Sequence, residues 1–180
     1  MEIDDRELVR RVLAGGTNDF RVIVDRHQLP IFRFALGLLG NREEAEDVTQ
    51  EVLLAVFANL SGYDSSRAAF ATWLFTIARN RCINLLKRTR PIALNDPDSI
   101  ADSMSADPVV RQELSRQLDR ALAELPVEQR SAFVLAEIEE LPYAEIARIE
   151  RTSLGTVKSR IHRARQRLHS LLESVMRESK

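Results

Sequence analysis

Apolar residues recur at three- and four-residue spacing along most of the chain and nowhere alternate convincingly with polar ones, so the pattern predicts helices and no strands. "DDRELVRRVLAG" reads as a short helix closed by Gly15 and Gly16, and "TNDFRVIVDRHQ" as a second; "LPIFRFALGLLG" follows and ends at Gly40. Asn41 is a good N-cap, with Glu43 and Glu44 suited to the first turn, for a long helix through Leu60. Its inward stripe is Ala45, Val48, Val52, Val56 and Asn59; the outer side carries Glu43, Asp47, Gln50, Leu54 and Phe57. Acids on an outer face are by themselves a solvated face, but a Leu and a Phe beside them tilt the reading toward a protein-binding surface. After the loop "SGYDSSR", the segment "AAFATWLFTIARNRCINLLKRTR" is apolar on both sides. Phe70, Trp73, Leu74 and Ile77 lie on one, and Phe75, Cys82 and Leu86 on the other, as in a central core helix whose aromatics pack rather than stack on bases.

The pattern breaks over "PIALNDPDSIADSMSADPVVRQ" (91–112), which holds Pro91, Pro97 and Pro108 among Asp, Ser and Asn. Beyond it, helical segments are predicted over about 108–125, 127–139, 142–149 and 153–176, with Pro126 and Pro142 at or just before helix starts. "LPYAEIARIERTSLGTVKSRIHRARQRL" is therefore helix, short turn, helix, the spacing of a helix-turn-helix whose second helix enters a major groove. The expected fold is all-α. Two small helical domains (1–90 and 113–180) are joined by a flexible acidic linker (91–112), and the second contains the helix-turn-helix.

Charge sharpens this picture. With 27 acidic and 26 basic residues the chain is nearly neutral, which argues weakly against nucleic acid, but the average hides the layout. Residues 79–90 hold five bases and no acid, residues 158–167 do the same, and the linker between them has four Asp and one Arg. Partners feel local fields rather than totals. On the last helix, Val157, Ile161, Ala164 and Leu168 share the face toward the core. The far face presents Gly155, Ser159, His162, Arg163 and Gln166, flanked by Thr156, Lys158, Arg160, Arg165 and Arg167. Hydrogen-bonding residues at the centre with bases along both edges suit a groove between two phosphate backbones. The bases begin near the helix N-terminus, where the dipole opposes them, so the dipole does not explain them. The basic end of the 70–90 helix does suit its dipole, yet its five charges cluster without partners, which keeps nucleic-acid contact attractive.

Catalysis and metal binding find little support. His27, His162 and His169 are scattered without a matching acid or thiolate pair, and no glycine-rich phosphate loop or nucleophile motif is present. Neither a metal site nor a cofactor is expected. Cys82, the single cysteine, rules out an internal disulfide and reads as a small core residue. A charged N-terminus excludes a signal peptide, and no apolar run approaches the roughly 18–20 residues that span a membrane, so a cytoplasmic protein without membrane insertion is expected.

Three segments resemble bacterial RNA polymerase sigma factors of the extracytoplasmic function group (sigma-70 group 4). "EEAEDVTQEVLLAVFANL" (43–60) resembles the polymerase-docking helix of that family, "FATWLFTIARNRCINLLKR" (70–88) the helix bordering its strand-opening and −10-reading surface, and "LPYAEIARIERTSLGTVKSRIHRARQRL" (141–168) its −35-reading helix-turn-helix. The resemblance covers nearly the whole chain in order. It implies that Asp47, Gln50, Glu51 and Leu54 meet the coiled coil of the polymerase β′ subunit, with the β subunit also a partner. It implies further that the loop "SGYDSSRAA" (61–69) captures an unstacked base of the opened strand. Tyr63, Asp64, Ser65 and Arg67, with Arg79, Asn80, Lys87 and Arg88 of the adjacent helix, would then serve the −10 element, a pocket for a splayed base beside cations for its phosphates. The linker would lie in the polymerase channel. Asn84 departs from the acidic residue expected at its position, and the chain lacks the extra regions of housekeeping members and any sensory C-terminal extension, so the resemblance implies control by a separate anti-sigma factor.

The leading expectation is therefore an alternative sigma factor that directs core polymerase to promoter DNA and has no catalytic chemistry of its own. The alternative is a self-sufficient helix-turn-helix regulator that oligomerises through residues 1–90. A plain repressor needs neither the outer face of 43–57 nor the basic 79–90 helix.

Overall fold

The computed structural model describes residues 3–89 and 117–178. Every regular element among them is helical: α1 (Asp5–Leu13), α2 (Asp19–Leu39), α3 (Arg42–Ala58), a short 3-10 turn (Leu60–Gly62) and α4 (Phe70–Thr89). After 117–123 (α5) come α6 (Val127–Phe133), which widens into a π-helical turn (Val134–Ile138), α7 (Tyr143–Glu150) and α8 (Leu154–Glu178). The acidic 91–112 stretch and the beginning of the helix expected from 108 lie outside the described residues.

Local chemistry accounts for the boundaries. The left-handed conformation of Gly40 (φ 69°) closes α2 with its N–H on the Leu36 carbonyl, and the Asn41 side chain accepts the Glu44 amide at 3.0 Å to start α3. Pro126 and Pro142 stand immediately before α6 and α7, as expected. Three sequence-based expectations are corrected. Residues 17–28 and 29–40 are one helix, α2, running through Pro30. The proline removes one hydrogen bond, but Ile23 and His27 before it and Ile31, Phe34, Ala35 and Leu38 after it form one continuous buried stripe that holds the helix together. Asn59 is exposed and ends α3, its side-chain amide donating to the Ala55 carbonyl, while Thr49 joins the buried stripe by donating its hydroxyl to the Ala45 carbonyl. On α4 the buried residues are Phe70, Thr72, Leu74, Phe75, Ala78 and Cys82, with Trp73, Ile77 and Leu86 only partly covered.

The two helical halves are not independent bodies. One apolar cluster runs from Leu8 and Ile23 through Val52 and Leu74 to Val134, Leu135, Ile146, Val157 and Ile161, so the second half completes its core against α2 and α4. A smaller cluster joins Ala121, Leu122 and Leu125 to Ala164 and Leu168 of α8. The π turn packs tightly on α2: Val134 lies over Gly37, where an added Cβ would come within 2.9 Å of Val134 Cγ2. Buried Arg130 bridges the seam, donating to the carbonyls of Leu38 (2.8 Å), Ala123 (2.6 Å) and Leu125 (3.1 Å).

Removing that guanidinium leaves buried carbonyls without their donors. Arg130→Met should destabilise the chain by about 2 kcal/mol or more, since each orphaned buried group costs roughly 1–3 kcal/mol. The measurement is a urea unfolding midpoint, with hydrogen exchange expected to rise first over 117–138. An unchanged midpoint would contradict the bridging role.

Candidate polymerase and nucleic-acid interfaces

The outer face of α3 follows from its register. Ala45, Val48, Val52 and Val56 are buried, which leaves Asp47, Gln50, Glu51 and Leu54 in solvent, Leu54 70% exposed. Glu51 receives Arg81 of α4 at 3.0 Å, and Phe57, 47% exposed, meets Phe20 of α2 edge-on with ring centroids 4.7 Å apart. Acid, amide and uncovered leucine thus lie side by side on a rigid helix.

The 61–69 loop is braced at its base. The Tyr63 ring packs edge-on against Phe70 (5.2 Å) and tilted on Trp73 (5.5 Å), and its hydroxyl donates to the Ala68 carbonyl. Asp64 accepts the Ser66 hydroxyl and amide and pairs with Arg67 at 3.2 Å; the Ser66 bonds and the nearby Arg67 hold its carboxyl below the usual range. Ser65 and Arg67 stay exposed, as do Asn80, Lys87 and Arg88 along α4. The expectation that the α4 cations lack partners is corrected for two of them. Arg79 makes a two-pronged ion pair with Glu150 (2.9 and 3.0 Å), and Arg81 reaches Glu51. Those acids come from α7 and α3, distant in sequence, so a local charge count could not reveal them.

The helix-turn-helix is formed by α7 and α8. Arg151 turns the chain in the left-handed conformation (φ 51°), and Ser153 caps α8 by accepting the Thr156 amide at 3.1 Å. Val157, Ile161, Ala164 and Leu168 are buried as expected; Lys158, His162, Arg163, Gln166 and Arg167 are exposed on the other side, with Ser159 half-buried. Three flanking residues have internal partners. The Thr156 hydroxyl shares a hydrogen bond with Ser153, Arg160 reaches Glu150 at 3.1 Å, and Arg165 pairs with Glu137 at 2.6 Å, a bond that raises its pKa. Glu150 itself was missed by the sequence reading. An acid at the last position of a short helix gives no signal until its partners are seen.

Comparison with known proteins matches this layout. The profile of sigma-70 region 2 fits residues 23–92 and that of sigma-70 region 4 fits 115–168. The ECF RNA polymerase sigma factor SigW of Bacillus subtilis is 32% identical over 97% of this chain and 100% of its own length. The chain belongs to the extracytoplasmic function sigma factors. RNA polymerase sigma-H factor of Pseudomonas aeruginosa is 30% identical over 97% of both chains. Among solved structures, CnrH in complex with the cytosolic domain of CnrY superposes with a TM-score of 0.75 at 26% identity, covering 94% of this chain and 97% of CnrH. The sigma factor RpoE bound to the anti-sigma factor NepR from Bartonella quintana gives 0.73 at 26% identity, over 86% and 97%. Sigma factors of this family are transcription-initiation factors that work with RNA polymerase at promoters. This decides between the two readings of the sequence in favour of the sigma factor.

No cluster of three or more metal-capable side chains occurs among the described residues, and no described helix is long and apolar enough to cross a membrane. Buried His27 is held by Asp5 at 2.9 Å against the Phe70 ring, tying α1 to α2. Cys82 is fully buried in α4, and burial pushes its thiol up to about 12. At pH 8 the folded sigma factor should therefore leave Ellman's reagent unreacted, and one thiol should titrate promptly once urea unfolds it. Fast reaction of the native protein would show that Cys82 reaches solvent.

Proposed function

We propose that this sigma factor docks on core RNA polymerase through the outer face of α3 and reads its promoter with two surfaces. The unit of residues 1–90 serves the −10 element and strand opening, and that of 113–180 the −35 element. The observation that carries the reading is α8, whose four core residues are buried while Lys158, His162, Arg163, Gln166 and Arg167 stand together in solvent. Hydrogen-bonding groups between cations are what a major groove accepts. Asp47, Gln50, Glu51 and Leu54 form the contact with the β′ coiled coil, and the β subunit completes the assembly. Tyr63, Asp64, Ser65 and Arg67 of the braced loop, with Arg79, Asn80, Lys87 and Arg88, meet the opened −10 DNA. Ser159 joins the −35 contact, as do Thr156, Arg160 and Arg165 once their internal partners release them.

The protein acts in the cytoplasm and contributes no catalytic chemistry of its own. Solved relatives bound to NepR and to the cytosolic domain of CnrY support an anti-sigma partner here as well.

Docking is tested by pull-down with core polymerase alongside circular dichroism. Asp47→Lys with Gln50→Lys, and separately Leu54→Ala, should weaken binding while stability shifts by no more than about 0.5 kcal/mol, since all three side chains are solvent-facing. Undiminished capture in all variants would sink the assignment.

Base reading is tested by holoenzyme binding to single-base promoter variants at several salt concentrations. Arg163→Ala should cost about 1–3 kcal/mol on the preferred −35 element and flatten discrimination at one base pair, a G by the two-pronged preference of arginine. Arg167→Ala should weaken all sequences alike and reduce the salt dependence by about one phosphate. Identical behaviour of the two variants would refute this division of roles.

A further inference from the structure

Glu150 is the point at which the two DNA-facing surfaces meet. Its side chain is 0% exposed, and its carboxylate accepts two hydrogen bonds from Arg79 of α4, one from Arg160 of α8 and one from the Ser131 hydroxyl of α6. Arg79 and Arg160, 16% and 23% exposed, are two of the cations assigned above to −10 and −35 DNA. A carboxylate offers a guanidinium the same paired oxygens as a phosphate does. Cations held on Glu150 are withheld from DNA.

The rest of the seam reinforces that contact. The Thr72 hydroxyl donates to Glu145, Arg33 forms a two-pronged pair with Glu139 (3.0 and 2.9 Å), and Val134 closes over Gly37. So closed, the chain cannot reach both promoter elements. Sites centred near −10 and −35 lie about 85 Å apart along a duplex rising 3.4 Å per base pair. A compact chain of this length is about 40 Å across.

We propose that this closed arrangement is a self-inhibited state latched by Glu150, whose carboxylate competes with promoter phosphates for Arg79 and Arg160. Engagement with polymerase and promoter exchanges the internal partner for the external one. The proposal rests on the DNA-facing reading of α4 and α8. It makes closure and promoter binding mutually exclusive, so each is opposed by the free energy of the other.

The seam provides its own test. A Cβ at position 37 would stand 3.8 Å from Val134 Cβ, the mean separation across a disulfide. Gly37→Cys combined with Val134→Cys, oxidised with glutathione disulfide, should lock the full chain closed, and buried Cys82 does not compete. With core polymerase, the oxidised variant should lose promoter-directed transcription at least about tenfold, as expected when the competent fraction is removed, and regain it on reduction. Glu150→Gln in the full chain should enlarge the radius of gyration measured by small-angle scattering and speed association with core polymerase, with helix content retained.

An oxidised variant as active as its reduced form would overturn the latch, as would Glu150→Gln with unchanged dimensions and association rate. A reduced variant and wild-type chain that both fail to direct polymerase would instead overturn the proposed function. Scattering would still report whether Glu150 holds the halves together.

Discussion

A carboxylate removed from water must be met by donors, and Glu150 finds them on three helices besides its own. Burying the charge costs several kcal/mol unless hydrogen bonds offset it, so the positions of α4, α6 and α8 around the end of α7 are coupled through one group. Arg160 fixes the angle between the two helices of the helix-turn-helix, because it spans from α8 to the last residue of α7. Arg79 fixes that motif against the first half of the chain. The left-handed turn at Arg151 begins directly after this carboxylate, so the geometry of the turn and of the seam meet within two residues.

Apolar burial and polar pairing make different contributions to this seam. The second half is a small unit whose own helices cannot cover all of its apolar surface, which is why Val134, Leu135 and Ile146 share a core with α2 and α4. Apolar contact favours closure without specifying its register. The register comes from the charged groups: Arg33 on Glu139, Arg79 on Glu150 and Arg130 on the end of α2 each require one alignment. Such mixed surfaces resemble interfaces that form and separate, since every ion pair that breaks regains hydration on both partners.

Helix ends and helix faces were largely legible in the sequence, because short-range chemistry sets them. The Asn41 cap, the Gly40 stop, the prolines before α6 and α7, the solvent face of α3 and the inward face of α8 were all read from residues within a turn or two of each other. What escaped depends on distant groups. The unbroken course of α2 through Pro30 is decided by what its stripe packs against, and the π turn at Val134–Ile138, where Val134 lies over Gly37, has no marker in the local sequence. The partners of Arg79 and Arg81 lie 71 and 30 residues away, so a cluster of bases looked unpaired when two of its members were not. Thr156 and Arg160 were placed correctly on the flanks of α8, but their internal bonds to Ser153 and Glu150 follow from the turn geometry rather than from the helical wheel.

The near-neutral net charge also acquires a physical reason. A chain that displayed every cation of α4 and α8 would bind duplex DNA without regard to sequence, because affinity of that kind grows with each phosphate neutralised. Here Arg79, Arg81, Arg160 and Arg165 are each matched by an acid of the same chain, while Lys158, His162, Arg163 and Arg167 remain exposed. The free protein therefore presents a smaller field than its count of bases suggests. Only Arg79 with Glu150 spans the two halves; the pairs of Arg81, Arg160 and Arg165 each lie within one half and yield only to a competing anion. The acids are the counterpart of the basic helix. In the proposed latched state they keep Arg79 and Arg160 on Glu150 rather than on phosphate.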